Sequence, residues 1–232
     1  MKKLSLTTLL IIITLGFSSC NSDETILDEP TAADLLRSFN LNKNAKGDFA
    51  LNYELNKGAS SENIKDNATN TNNIYLYSSE YESQSKVGQG LELENGKLQV
   101  SFNDTQKDKK HTITVLDNDI KSNRDSNEYL ESYGVTGNGD DTYDLNFKVV
   151  DGISVDFIYD GDRNVYEVHL NEDASASQSD FVQTFTKEDG IALNIEFVNS
   201  SVSKSVAKNT EDDGNGGDNP NRPVIVVENE GD

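Results

Sequence analysis

The chain has 232 residues, with 20 Lys and Arg against 41 Asp and Glu and a formal net charge of −21. Nucleic-acid phosphates and anionic lipid headgroups would repel such a surface, so the charge excludes a nucleic-acid binder and membrane docking by charge alone. A single Cys and two His exclude an internal disulfide and a Cys-rich zinc site, and they leave little for acid–base chemistry.

The first twenty residues have the pattern of an export signal. Lys2 and Lys3 form a positive region, residues 4–17 are mainly apolar, and small residues precede the only cysteine, Cys20. The apolar run of roughly 14 residues is shorter than the about 20 that a bilayer-spanning helix needs, so a permanent membrane span is not expected. The pattern resembles a bacterial lipoprotein signal, which implies a signal peptide over residues 1–19 and lipidation of Cys20. The alternative is an ordinary secreted protein with an incidental Cys.

The residues around this cysteine carry two further details. Phe17 stands where the usual lipoprotein motif has Leu, and Ser22-Asp23-Glu24 follow shortly after Cys20. A Ser followed by acidic residues resembles the surface-export signal of lipoproteins from Bacteroidota, although acids are common throughout this chain. The resemblance implies anchoring in the outer membrane, exposed at the cell surface, through acyl chains such as palmitate. Each buried CH₂ contributes about 0.8 kcal/mol, so two or three chains would hold the protein stably.

A lipidated tether is predicted over residues 20–45, which are polar and acidic. One short helix is expected within it, over residues 31–39, because Thr31 and Asp34 imitate a capping box after Pro30. A helix this short is marginal in water and must dock or fray.

From Asp48 onward the apolar residues recur with a period of two, which predicts half-buried β-strands. The clearest hairpin signal is Asn95-Gly96, since these residues readily take the positive φ angles of a type I′ turn. Residues 56–73 are predicted to be a polar loop, and a short helix is predicted near 125–134, ended by Gly134. The predicted strands are 49–55, 74–77, 91–94, 97–102, 111–116, 142–150, 153–159, 164–170, 181–186 and 191–198.

About ten short strands without a long helical period predict an all-β fold, an antiparallel β-sandwich-like domain over residues 46–206. Residues 207–232 are predicted to be an acidic, flexible and disordered tail, because their composition cannot bury enough surface to offset ordering. Within it, the apolar residues 224–227 either pair as an edge strand or remain an unpaired apolar segment that is prone to association.

An internal similarity raises the question of a repeat. Residues 49–55 resemble residues 143–149 in their order of apolar and polar positions. This would fit two five-stranded repeats, 46–117 and 142–200, in one sandwich. The alternative is that amphipathic strands resemble each other by construction.

Asp160, Asp162 and Asn164 place three oxygen ligands at alternate positions, as a calcium loop begins. The EF-hand pattern then fails, because Val165 and Asn171 stand where it needs Gly and Glu. A structural hairpin turn explains the same residues. Calcium is therefore the one cofactor that the sequence leaves open, and no other is expected.

No catalytic residue is assigned. The chain lacks a Gly-x-Ser-x-Gly elbow and a phosphate-binding glycine loop, and 41 acids make carboxylate pairs inevitable and uninformative. Tyr75 and Tyr77 would share one strand face, where they could contact a ligand such as a glycan. Tyrosine is also common as half-buried strand filler.

The sequence therefore favours a surface-anchored, non-catalytic lipoprotein, bound to the membrane through its lipid and acting as a binding or envelope-interaction module for an unknown protein or glycan partner. Two alternatives stay open: an extracellular acid-pair hydrolase that acts on a polymer, and a calcium-stabilised glycan-binding protein. A deep cleft with two facing carboxylates and aromatic walls would favour the hydrolase, whereas a flat or convex surface would favour a binding module.

Overall fold

The part of the chain that the structure describes contains fourteen β-strands. A computed structural model describes residues 35–79, 85–106, 108–117, 129–188, 190–199 and 223–230. Within these ranges there is no helix, and hence none long and apolar enough to cross a membrane. The strands in chain order are β1 (Leu36–Lys43), β2 (Phe49–Leu55), β3 (Ala59–Asp66), β4 (Thr71–Ser78), β5 (Lys86–Leu91), β6 (Lys97–Asp104), β7 (Lys109–Leu116), β8 (Leu130–Gly137), β9 (Thr142–Val149), β10 (Ile153–Asp160), β11 (Val165–Glu172), β12 (Asp180–Thr186), β13 (Leu193–Asn199) and β14 (Val224–Glu230).

The strands form two sheets packed face to face. The six-stranded sheet has the order β12-β9-β8-β1-β2-β5, and the eight-stranded sheet has the order β10-β11-β13-β14-β7-β6-β4-β3. Alternate residues of each strand point into the space between the sheets, where Leu51 and Leu145 of one sheet and Ile74 and Ile195 of the other are fully buried. The predicted all-β sandwich is confirmed. Its pairing is antiparallel except for β4 with β6 and β11 with β13, which are parallel.

The strand order has an internal two-fold arrangement. In the six-stranded sheet, the order from the centre outward is β1, β2, β5 on one side and β8, β9, β12 on the other. In the eight-stranded sheet, it is β7, β6, β4, β3 on one side and β14, β13, β11, β10 on the other. Equivalent turns agree in backbone geometry: Gly58 and Gly152 both have φ 81°, and Asn70 and Asn164 both have φ 52°. The repeating unit therefore has seven strands, β1–β7 and β8–β14, rather than the five that the sequence suggested.

Two predicted helices are strands. β1 and β8 occupy residues where capping signals predicted helices, although residues 31–34 and 125–128 lie outside the described part of the chain. In β1 the alternate residues Phe39, Leu41 and Lys43 are buried, which is the period of a strand. Each strand pairs with neighbours on both sides, and this tertiary pairing overrides the local helical signals. The predicted tether therefore extends too far at its C-terminal end, since β1 belongs to the six-stranded sheet.

The polar loop predicted over residues 56–73 is also wrong. It contains β3 and the start of β4. β3 is a terminal strand of its sheet, so its middle residues, such as Glu62 and Asn63, are exposed and show no apolar alternation. β5, at the end of the other sheet, was missed for the same reason, and its Gly88 and Gly90 weaken the strand signal further. The strand predicted over residues 91–94 is wrong, since Leu91 is the last residue of β5 and Glu94 forms only an isolated bridge with Lys97.

The end of the chain is not all tail. β14 lies between β13 and β7, near the middle of the eight-stranded sheet, and not at an edge. Its Ile225 and Val227 are fully buried, in places equivalent to those of Ile113 and Val115 of β7. The rest of the predicted acidic tail, residues 207–222 and 231–232, lies outside the described residues.

Candidate functional site

The most exposed large aromatic residues of the described chain lie on β10, a terminal strand of the eight-stranded sheet. Phe157 is 40% exposed and Tyr159 is 53% exposed. Both lie on the face that includes the buried Ile153 and looks towards the six-stranded sheet. Between them, Ile158 lies on the outer face and is 49% exposed. β10 therefore carries three consecutive large apolar side chains in partial contact with water.

A first series of ring contacts lies between β12 and β10, the terminal strands of the two sheets on the same side of the sandwich. Phe181 of β12, a terminal strand of the six-stranded sheet, stacks on Phe147 with ring centroids 5.2 Å apart. Phe147 meets Phe157 edge to face at 6.1 Å. These contacts link the terminal strands of the two sheets through an aromatic layer.

A second series runs parallel to the first. Phe185 of β12 lies 4.7 Å from Tyr166, and Tyr166 lies 4.8 Å from Tyr159, measured between ring centroids. The Tyr159 hydroxyl donates a hydrogen bond of 2.9 Å to Asn164 Oδ1. The contact with the Tyr166 ring and the hydrogen bond of the hydroxyl thus hold the exposed Tyr159 side chain in place. We call the five residues of β10, β11 and β12 that meet at this side of the sandwich the aromatic edge: Phe157, Tyr159, Tyr166, Phe181 and Phe185.

The first half of the two-fold arrangement has a polar edge in the equivalent place. β3 is the equivalent of β10 in the first half, and the two strands pair with β4 and β11 in the same register. In this register, Asn63 is equivalent to Phe157, and Lys65 is equivalent to Tyr159. Asn63 donates a hydrogen bond to Gln89, and Lys65 forms an ion pair with Glu94. In the first half, polar side chains therefore make the contacts at this terminal strand, and among the described residues the aromatic edge occurs in the second half alone.

Carboxylates surround the aromatic edge. Asp156 and Asp160 lie on the outer face of β10, and Asp180 begins β12. Asp160 is paired with Arg163, whereas Asp156 and Asp180 form no ion pair with any described residue. The edge is therefore apolar at its centre and negatively charged around it.

The structure places the predicted calcium residues in the turn after β10. Asp160 Oδ2 accepts a hydrogen bond of 2.7 Å from Arg163 Nε, and its Oδ1 accepts one of 3.0 Å from the Asp162 backbone N–H. Asn164 Oδ1 is the acceptor for Tyr159. The hydrogen bond from Arg163 is the main reason that the pKa of Asp160 lies below its usual range. The side chains of Asp160 and Asn164 thus already have internal partners in this turn.

We expect calcium to leave the melting temperature unchanged, because a cation at this turn would have to displace the Arg163 guanidinium from Asp160. Thermal unfolding with millimolar calcium and after chelation measures this. A rise that the chelator reverses, and that Asp160→Asn abolishes, would contradict the expectation. In the described part of the chain, no group of three or more His, Cys, Asp or Glu side chains could hold a metal ion.

The other predicted site residues lie elsewhere. Tyr75 and Tyr77 share the outer face of the eight-stranded sheet, opposite the buried Ile74 and Leu76, in the first half of the chain. Tyr77 is exposed and Tyr75 is half-buried. The structure does not bring them to the aromatic edge, and a ligand-binding role for them stays a prediction. Cys20 lies outside the described residues.

A shallow depression of about 350 Å³ lies on the outer face of the six-stranded sheet. Asn40, Asn52 and Thr136 contribute to its lining, and Glu54 is the one carboxylate there. Lys86 Nζ lies 2.6 Å from Glu54, and this hydrogen bond is the main reason that the pKa of Glu54 is lowered. Because Glu54 is the only carboxylate in its lining, this depression lacks the pair that the predicted alternative, an acid-pair hydrolase, requires.

Sequence analysis assigned the aromatic edge to strands but missed it as a site. The available signal was Phe157-Ile158-Tyr159, which supplies large apolar residues to both faces of one strand. Such a run is typical of a strand buried on both faces, and only the terminal position of β10 leaves it exposed. No family model, no curated protein and no solved structure matches the chain.

Proposed function

We propose that the protein is a non-catalytic binding module, held at the outer surface of a bacterium by lipidated Cys20, and that it binds its ligand at the aromatic edge. The anchor rests on the signal sequence. The site rests on one observation: Phe157 and Tyr159 are exposed at a terminal strand whose counterpart in the first half is polar. Exposed apolar strand edges promote association, and a protein without a use for one normally blocks it.

The arrangement of the rings supports binding. Tyr159 is fixed by its contact with Tyr166 and by its hydrogen bond to Asn164, so it loses little conformational freedom when a ligand arrives. The Phe157 ring packs edge to face against the buried ring of Phe147. Large, rigid and partly polar rings of this kind supply much of the binding energy at protein interfaces.

The anchor is tested by metabolic labelling with a palmitate analogue in cells that carry the wild type or Cys20→Ala. We expect label in the wild type only, and we expect protease added to intact cells to remove the body of the protein. Equal labelling of both chains, or a lipid-free wild type recovered from the medium, would contradict the anchor.

The site is tested with the detergent-solubilised lipoprotein on arrays of peptides and of soluble glycans. The double variant Phe157→Ser/Tyr159→Ser should lose at least tenfold in affinity for the ligands that the wild type binds, since it removes the exposed rings. Ile64→Ser on β3 is the matched control, because Ile64 is equally exposed on the corresponding strand of the first half. The proposal would be contradicted if the double variant and the wild type bound equally, or if the wild type bound no peptide and no glycan on the arrays.

A further inference from the structure

We infer that the ligand of the aromatic edge is an extended polypeptide with basic residues, which joins the eight-stranded sheet as an additional strand beside β10. This inference rests on the proposed function and names the class of its ligand. It starts from the backbone: β10 pairs with β11 along its whole length, Ile153 to Asp160, and no described strand pairs with its other side. Alternate N–H and C=O groups on that side are available to a strand that arrives from outside.

β10 lacks two common obstacles to strand addition, a Pro or Gly within the strand and a β-bulge. Its eight residues contain no Pro or Gly, and its register with β11 has no bulge. The other terminal strands are less suitable: β5 is shorter and contains Gly88 and Gly90, and β3 carries Asn63 and Lys65 where β10 carries Phe157 and Tyr159. β12 exposes one large apolar side chain, Val182, whereas β10 exposes three.

The side chains of β10 define what the added strand should carry. On the inner face, Phe157 and Tyr159 would lie beside residues of the incoming strand at the spacing of cross-strand pairs, which favours Val, Ile or an aromatic residue there. On the outer face, Asp156 lies beside Ile158 and forms no ion pair with a described residue, whereas Asp160 is paired with Arg163. Opposite charges pair favourably across strands, so the partner residue opposite Asp156 should be Lys or Arg, and the formal net charge of −21 favours a basic partner overall.

The overall charge argues against a second copy of this chain as the occupant. Each chain carries a formal net charge of −21, so two copies repel each other. A glycan would use the rings but not the row of backbone groups, and it is an outcome that the experiment distinguishes.

The probes are fluorescent nine-residue peptides that alternate Val or Phe with Lys, matched peptides with Glu in place of Lys, and two N-methylated forms of the Lys peptide. Each N-methylated form lacks the N–H donors along one side of the strand only. Binding to the full-length lipoprotein in detergent micelles is followed by fluorescence anisotropy. We expect the Lys peptide to bind at least tenfold more tightly than the Glu peptide, and one N-methylated form, but not the other, to lose at least tenfold.

Controls separate strand addition from attraction of a cationic peptide to an acidic protein. Phe157→Ser/Tyr159→Ser should lose the Lys peptide, and Ile64→Ser should retain it. Equal affinity of both N-methylated forms and the parent, or full binding by the double variant, would overturn the inference. If a glycan alone binds in an edge-dependent manner, the inference fails while the proposed function stands. If neither peptides nor glycans bind at the edge, both fail.

Discussion

Asp117→Leu is expected to lower the free energy of unfolding by about 3–5 kcal/mol, because it removes a buried carboxylate that pairs with a buried ammonium group. The Asp117 side chain is 2% exposed and accepts hydrogen bonds of 2.7 Å from Lys43 Nζ and 2.6 Å from the Tyr133 hydroxyl. The Lys43 side chain is itself 10% exposed. Guanidinium unfolding of the wild type and the variant measures the difference.

A second substitution separates a lost ion pair from a simple packing defect. Adding Lys43→Met to Asp117→Leu should restore most of the lost stability, since replacing both members of a buried pair by apolar residues is often close to neutral. Lys148→Met provides the control, because its partner Glu131 is on the surface, where the loss of an ion pair should matter far less. Wild-type stability in Asp117→Leu would contradict the prediction.

Acidification from pH 6.5 to pH 4 is expected to destabilise the wild type through His111. Its ring lies 5.3 Å from the Phe39 ring and stacks on Tyr143 at 5.8 Å between centroids. Its Nε2 is buried without a hydrogen-bond partner among the described residues. Burial, and secondly the charge of Lys187, lower the pKa of His111 to about 4, against the opposing effect of its hydrogen bond with Asn229.

The sign follows from proton binding. Between pH 4 and the unfolded pKa of 6.5, the unfolded chain binds a proton at His111 that the folded chain excludes. The contribution to stability is therefore complete above pH 6.5 and is lost as the pH falls towards 4, by about 3 kcal/mol at most, since one pKa unit corresponds to about 1.4 kcal/mol.

His111→Phe tests this contribution, because it keeps an aromatic ring in the cluster and removes the titrating group. The loss of stability between pH 7 and pH 4, measured by denaturant unfolding, should be smaller in the variant than in the wild type. Carboxylates titrate in both chains, so the comparison between the two isolates the histidine. Identical losses in the two chains would count against the buried, neutral His111.

Strands with strict alternation could be predicted from the sequence. β2 has the predicted bounds, and its Phe49, Leu51, Tyr53 and Leu55 are all buried, because a period of two places them on the core face. The turn at Asn95-Gly96 has φ angles of 52° and 76°, as a type I′ turn requires, but the predicted hairpin does not form, because β5 and β6 belong to different sheets and only Glu94 and Lys97 pair across the turn. Both signals are local, so neighbouring residues suffice to detect them.

Strands that depend on distant partners could not be predicted in this way. β1 was read as a tether with a short helix, but Leu41 pairs with Leu51 on one side and with Val135 on the other. β14 was expected at an edge or in a tail, but it fills the gap between β13 and β7. Loop closure brings β8 to β1 and β7 to β14 from far apart in the chain, and no local pattern encodes that choice.

By itself, the sequence determined the all-β class and most of the strands in the predicted domain, because apolar alternation is a property of adjacent residues; the prediction of a lipidated Cys20 rests on it alone. The tertiary structure decided the order of the strands. That order makes β10 terminal and leaves Phe157 and Tyr159 exposed, although their sequence is typical of a buried strand. Whether an apolar side chain meets the core or water depends on which strands lie beside it, and long-range pairing sets this.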